Sequence, residues 1–136
     1  MKSRVILYAP NSHVGGGGIL LRGLIKNWPK GVAFQGYIDS RASEFLDLEK
    51  ESSITWVEPT ITSRLKAEIS LSKVASSNDV VVFFNSLPPL FTFKGRVIVL
   101  LQNRNLVEKI SLRSFKFKQA LRISIERSLS YFFRYR

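Results

Sequence analysis

Val80–Phe84 (VVVFF) and Arg96–Leu101 (RVIVLL) decide the fold class. A strand with one face in water alternates apolar and polar residues. A short, unbroken Val/Ile/Leu/Phe run instead reads as a strand covered on both faces of a parallel sheet. Working back from these runs, Arg4–Ala9 (RVILYA) is a buried strand stopped by Pro10 and Asn11, Ala33–Asp39 (AFQGYID) a second, and Ile54–Glu58 (ITWVE) a third, ended by Pro59. Helical patterns lie between them. Leu20, Leu21, Leu24, Ile25 and Trp28 form an apolar stripe that Pro29 and Gly31 end, and Ala42–Lys50 suits a short helix. Ser63 is placed to cap a helix over Arg64–Ser76, with Leu65, Ile69, Leu71, Val74 and Ala75 inward. The alternation predicts a single Rossmann-like, doubly wound α/β domain over residues 1–108, with five parallel strands ordered 3-2-1-4-5.

Composition narrows the function classes. The chain has 136 residues, 45% hydrophobic and 23% charged, which suits one domain with a core. It has no cysteine and one histidine, so thiolate zinc sites, thiol redox chemistry and His clusters are excluded, and no Ser-His-Asp triad is legible. No metal is expected. Its longest apolar runs are five residues, whereas a membrane-spanning helix needs about twenty. With no legible export signal, the expected location is cytoplasmic. The formal charge of +11 predicts an anionic partner.

Much of that charge is local. Residues 109–136 hold eight basic residues and one acid, interleaved with Phe115, Phe117, Leu121, Ile125, Leu129, Phe132 and Phe133. From Phe117 onward the spacing is that of a basic amphipathic C-terminal helix. Arg122, Arg127, Phe132, Phe133, Arg134 and Arg136 are its candidate membrane-docking residues. In that reading the protein is peripheral on the inner face of the cytoplasmic membrane, bound to anionic lipid. The alternative is that the apolar stripe packs on this domain or another. No motif for reading nucleic acid is present, so nucleic acid is not an expected partner.

The glycine run Gly15–Gly18 lies between the first strand and the first helix, where backbone N–H groups attract phosphate. It is not a Walker A loop, because Ile19 and Leu20 stand where Lys and Ser/Thr are needed. It fits a dinucleotide fingerprint poorly. Gly15 and Gly17 lead to Leu20 rather than a third glycine, and Pro10 to Val14 separate strand from glycines, although Asp39 suits a ribose-binding acid. The alternative is a flexible loop without a ligand. In the expected strand order the neighbouring loops carry Asn11, Ser12, His13, Asn85, Ser86, Gln102, Asn103 and Arg104, whose amides, hydroxyls and charge suit sugars and phosphates. His13 is a candidate base, or simply an exposed loop histidine.

The stretches RVILYAPNSHVGGGGILLRGLI, DVVVFFNSLPPL and RVIVLLQNRNLVE resemble the N-terminal, acceptor-side domain of GT-B fold glycosyltransferases, of the retaining family 4 (glycosyl transferases group 1) type. The resemblance implies a sugar-nucleotide-dependent transferase of polysaccharide or lipopolysaccharide assembly, moving a hexosyl unit to a glycan or lipid-linked acceptor. It implies that Gly15, Gly16, Gly17 and Gly18 approach the donor diphosphate and sugar. Asn11, His13, Asn85, Ser86, Gln102, Asn103 and Arg104 then lie on the acceptor side. The nucleotide-sugar is a substrate and no cofactor is implied. The family's donor-binding E-x7-E element belongs to a C-terminal domain not seen in this sequence, so a partner domain or chain is expected and the 136 residues alone are expected to be inactive. Many relatives carry a histidine after the fifth strand; Gln102 and Asn103 stand there, so no catalytic residue is carried over. The competing reading is a non-catalytic basic α/β module that binds anionic lipid or nucleic acid.

Overall fold

The computed structural model describes residues 4–46, 52–84, 88–100 and 115–133. Its elements in chain order are β1 (Arg4–Ala9), α1 (Gly15–Lys26), β2 (Ala33–Asp39), a 3-10 turn (Ser40–Glu44), β3 (Ile54–Val57), α2 (Ile61–Val74), β4 (Val80–Phe84), β5 (Arg96–Leu100) and α3 (Phe117–Phe133). The five strands form one sheet of order β3-β2-β1-β4-β5, and every pairing is parallel. This is the predicted architecture.

Two apolar layers hold the helices to the sheet. Leu7, Ala9, Ile38 and Phe84 meet Leu21 and Ile25 of α1, with Ala42 of the 3-10 turn and Leu46 just beyond it. On the other face Ile6, Tyr8, Tyr37, Val57, Val81 and Phe83 meet Ala67 and Leu71 of α2. Alternate residues of β1 therefore enter opposite cores, as strand geometry requires. Ile6, Leu7, Leu21, Ile25, Ile38, Leu71 and Phe83 are fully buried, each stabilising the fold by about 1.5–3 kcal/mol.

Several local readings need correction. β5 is not covered on both faces. Val97 and Val99 pack toward the α2 side, but Ile98 and Leu100 are each 42% exposed, because β5 is the last strand of the sheet and α1 packs elsewhere. α2 starts three residues before Arg64, and its cap is Thr60, whose hydroxyl accepts the Ser63 N–H at 3.1 Å. Leu65 and Val74 are exposed, while Ala67, Glu68 and Leu71 face inward. In α1, Leu20 and Leu24 are exposed and only Leu21 and Ile25 carry the packing. Where a helix was expected over Ala42–Lys50, the described part is a 3-10 turn, Ser40–Glu44, capped by Asp39.

α3 spans Phe117–Phe133. Ile123 is its buried residue, while Phe117, Leu121 and Ile125, one turn apart from each other, are 81%, 51% and 52% exposed. Arg122 pairs with Glu126 at 2.7 Å. Arg134 and Arg136 lie outside the described residues, as do the side chains of Phe132 and Phe133. Among the described residues no helix is long and apolar enough to cross a membrane.

Candidate functional site

β1 and β4 are neighbours, and β2 lies beyond one while β5 lies beyond the other, so the strand order reverses between them. Crevices at the carboxyl ends of such strands are where ligands bind in open α/β sheets. The chain leaving β1 runs through Asn11, Ser12 and His13 into α1.

The glycine run is not a flexible loop: Gly15–Gly18 form the first turn of α1. Glycine is about 1 kcal/mol poorer than alanine in a helix, so four in one turn are a costly choice that needs a reason. Gly15 and Gly18 have structural reasons. Gly15 has φ of 60°, a left-handed conformation that suits glycine. Gly18 is buried, and a Cβ there would sit 3.2 Å from the His13 carbonyl carbon. Gly16 has neither reason, since a Cβ would meet nothing within 4 Å. The turn also lacks the usual groups that satisfy a helix start. Val14 at the N-cap offers no side-chain acceptor, and the first turn has no acid. Its exposed N–H groups and the helix dipole thus favour an anion, the geometry that phosphate sites use.

Beside this turn lies a buried polar cluster. Asp39, at the end of β2, is fully buried, and Arg41 holds both its oxygens, with Nε to Oδ1 at 2.9 Å and Nη2 to Oδ2 at 2.7 Å. Burial opposes its ionisation, but the Arg41 side-chain and backbone hydrogen bonds, the Arg41 charge and His13 outweigh it. Its carboxyl is therefore held below the usual carboxylate value. The carboxylate caps the turn after β2 and is spoken for, so it is not the free ribose acceptor that its position suggested. His13 Nδ1 stands 3.6 Å from Asp39 Oδ2, too far for a hydrogen bond, and is buried without a partner. Ser12 is fully buried and its Oγ has no partner either.

On the opposite face of the sheet, the first turn of α2 reaches the same edge. Tyr8, next to last in β1, donates its hydroxyl to the Arg64 carbonyl at 3.1 Å. Burial, reinforced by the Glu68 charge and opposed by Arg64, pushes the Tyr8 phenol above its ordinary value. Glu68 is buried in α2 and accepts the N–H groups of Leu90 and Phe91. Burial raises its carboxyl above the ordinary value, and those two hydrogen bonds offset the rise only in part. Arg64 Nε is buried with no partner.

Ser12 Oγ, His13 Nδ1 and Arg64 Nε are the unpaired buried side-chain polar atoms of the described residues, and all three lie at the carboxyl edge. A buried group left unsatisfied costs about 1–3 kcal/mol. Their common place is the edge where α/β sheets bind ligands, which makes it the candidate site of the described residues. Of the residues proposed from sequence, Gly15, Gly16, Gly17, Gly18 and His13 are brought together here, with Gly18 buried against His13, and Asn11 is exposed beside them. Asn85, Ser86, Gln102, Asn103 and Arg104 lie outside the described residues. Arg64 and Tyr8 were missed. The one available signal was the Arg64/Glu68 spacing, which reads as an ordinary surface ion pair. No group of three or more His, Asp or Glu side chains suited to a metal occurs among the described residues. No family model, curated protein or solved structure was found to match the chain.

Proposed function

We propose that this domain is the acceptor-side half of a sugar-nucleotide-dependent glycosyltransferase of the GT-B type, which moves a hexosyl unit to a glycan or lipid-linked acceptor. The observation that carries the reading is the uncapped glycine turn of α1 at the strand-order switch, with buried polar atoms of Ser12 and His13 left unpaired beside it. In this reading the N–H groups of Gly15, Gly16 and Gly17 face the donor diphosphate, and Gly18 lets the turn pack on His13. Asn11 and His13 meet sugar hydroxyls, together with Asn85, Ser86, Gln102, Asn103 and Arg104 from the neighbouring loops. The resemblance noted in the sequence supplies the reaction class; the turn supplies the anion chemistry. No base is assigned.

Calorimetric titration of the 136-residue chain with UDP-, GDP- and dTDP-hexoses tests the reading. The informative variant is Gly16→Asp. Its side chain enters open space, and an acid in a first helical turn favours the helix, so the fold is retained. The same carboxylate repels a diphosphate. Saturable binding of a sugar nucleotide, weakened about tenfold or more in Gly16→Asp with an unchanged or higher melting temperature, is the expected result. Absence of binding across the panel, or equal binding by the variant, contradicts it.

The exposed stripe of α3 favours an additional role at anionic membranes. Phe117, Leu121 and Ile125 share one side of the helix, with Lys118 and Arg122 along it. Packing on the described domain does not account for that stripe. Vesicles containing phosphatidylserine should bind the chain at low salt and release it as salt rises. Leu121→Ser with Ile125→Ser should weaken binding without lowering the melting temperature. A lower melting temperature with unchanged vesicle binding is the outcome that packing predicts.

A further inference from the structure

Arg64 carries a partly buried positive charge that nothing in the described structure neutralises. Its Nε is sealed from water without an acceptor, and the guanidinium makes no ion pair among the described residues. Its natural counter-charge is Glu68, one helical turn on. That carboxylate is committed elsewhere, since its Oε1 receives the Leu90 and Phe91 N–H groups and so ties α2 to the chain between β4 and β5. The other two arginines in comparable positions are fully engaged. Arg41 grips Asp39 with two nitrogens, and Arg4 reaches Asp79, Gln35 and the Val74 carbonyl.

The backbone of Arg64 is also held in place. The Tyr8 hydroxyl donates to its carbonyl at 3.1 Å, and Tyr8 itself is locked in the core against Phe83, with ring centroids 4.8 Å apart. No acid stands in the first turn of α2 to offset the positive end of the helix. A guanidinium with one buried, unsatisfied donor is unfavourable in the free protein, and an oxyanion that meets its terminal nitrogens offsets that cost. Arginine suits this better than lysine, because its planar fork meets two oxygens of one phosphate or carboxylate.

We infer that Arg64 anchors a second anion site, on the α2 side of the carboxyl edge, which takes the phosphate or carboxylate oxygens of a ligand. α1 and α2 pack on opposite faces of the sheet, so this site receives a different group from the one facing Gly15–Gly17. The inference stands on Arg64 and its neighbours and does not require a sugar nucleotide at the glycine turn.

The test follows the arginine Nε–Hε signals by NMR in the 136-residue chain, titrated separately with inorganic phosphate and with acetate. Absence of one signal in Arg64→Lys assigns it. The expected result is a saturable shift of the Arg64 signal. Affinity should fall about tenfold or more in Arg64→Gln and less in Arg64→Lys. The melting temperature of Arg64→Gln should equal or exceed that of the wild type, because no protein partner is lost. Saturation by phosphate alone identifies a phosphoryl ligand, and saturation by acetate as well identifies a carboxylate. Gly16→Asp should leave this titration unchanged, which separates it from failure or success of the sugar-nucleotide reading. Absence of a saturable shift with either anion overturns the inference, as does a lower melting temperature in Arg64→Gln with unchanged anion affinity. Should Arg64→Gln lose the fold, the wild-type titration alone decides.

Discussion

The two edges of the same sheet treat their polar groups in opposite ways. At the amino edge, Arg4 opens β1 and Asp79 precedes β4, joined at 3.2 Å. Arg4 also donates to Gln35 Oε1 at 2.9 Å and the Val74 carbonyl at 2.8 Å, while Asp79 accepts the Ser76 N–H at 2.8 Å. Gly95 lets the start of β5 close onto this knot, with Arg96 N–H donating to the Asp79 carbonyl at 3.0 Å. At the carboxyl edge, Ser12, His13 and Arg64 each keep a buried polar atom without a partner. The amino edge pairs the polar side chains described there, whereas the carboxyl edge, although Asp39, Tyr8 and Glu68 are paired, holds all three unpaired buried atoms of the described residues. The contrast teaches that unpaired groups in this fold are a local feature of the candidate site and not a general looseness of packing.

The strongest test of the amino edge is Gly95→Ala. A Cβ there would lie 2.5 Å from the Asp79 carbonyl oxygen and 2.7 Å from that of Ser76, both backbone atoms that cannot swing aside. A loss of about 3 kcal/mol is expected in denaturant unfolding. A loss under about 1 kcal/mol would mean that the closure is looser than described.

Asp79→Asn probes the charge in the same knot. Burial opposes ionisation of Asp79, but hydrogen bonds from Ser76 and Arg4 and the Arg4 charge outweigh it, so its carboxyl lies below the usual value. A lowered carboxyl pKa contributes stability that is present above the unfolded-state value, about 3.9, and is lost as pH falls through the folded-state value. The variant should therefore melt lower than wild type at pH 7, by about 1–2 kcal/mol in stability. The gap should narrow in strongly acidic solution, and a gap independent of pH contradicts the assignment.

The smallest effect belongs to the carboxyl edge. Ser12→Ala removes a buried hydroxyl that has no partner, so stability should change by less than about 0.5 kcal/mol or rise. Sugar-nucleotide affinity should fall in the same variant. A marked loss of stability would show that the hydroxyl is satisfied in the free protein, and would weaken the contrast between the edges.

Architecture was legible because its signals are local and redundant. β1, β2 and β4 fall on their expected bounds, each an apolar run closed by a breaker or a turn, and the alternation with helices leaves few parallel orders. α2 shows where the reading fails. Its apolar residues Leu65 and Val74 suggest one face, yet the buried face is Ala67, Glu68 and Leu71. A glutamate enters the core because two backbone N–H groups, more than twenty residues along the chain, wait for it. No periodicity encodes that. The glycine turn was legible as an anion candidate but not as a helical turn, because glycine's poor propensity argues for loop until Leu21 and Ile25 anchor the helix. Asp39 was visible as an acid at the right place, but its capture by Arg41, two residues on, was not.

The most direct measurement is an amide-resolved NMR titration of the 136-residue chain with a UDP-hexose, read as a comparison of the two edges. The account predicts saturable shifts at Ser12, His13 and Gly15–Gly17, with Gln35, Val74, Asp79 and Gly95 unmoved. Shifts centred on the amino-edge residues, or none anywhere at millimolar ligand, would contradict it.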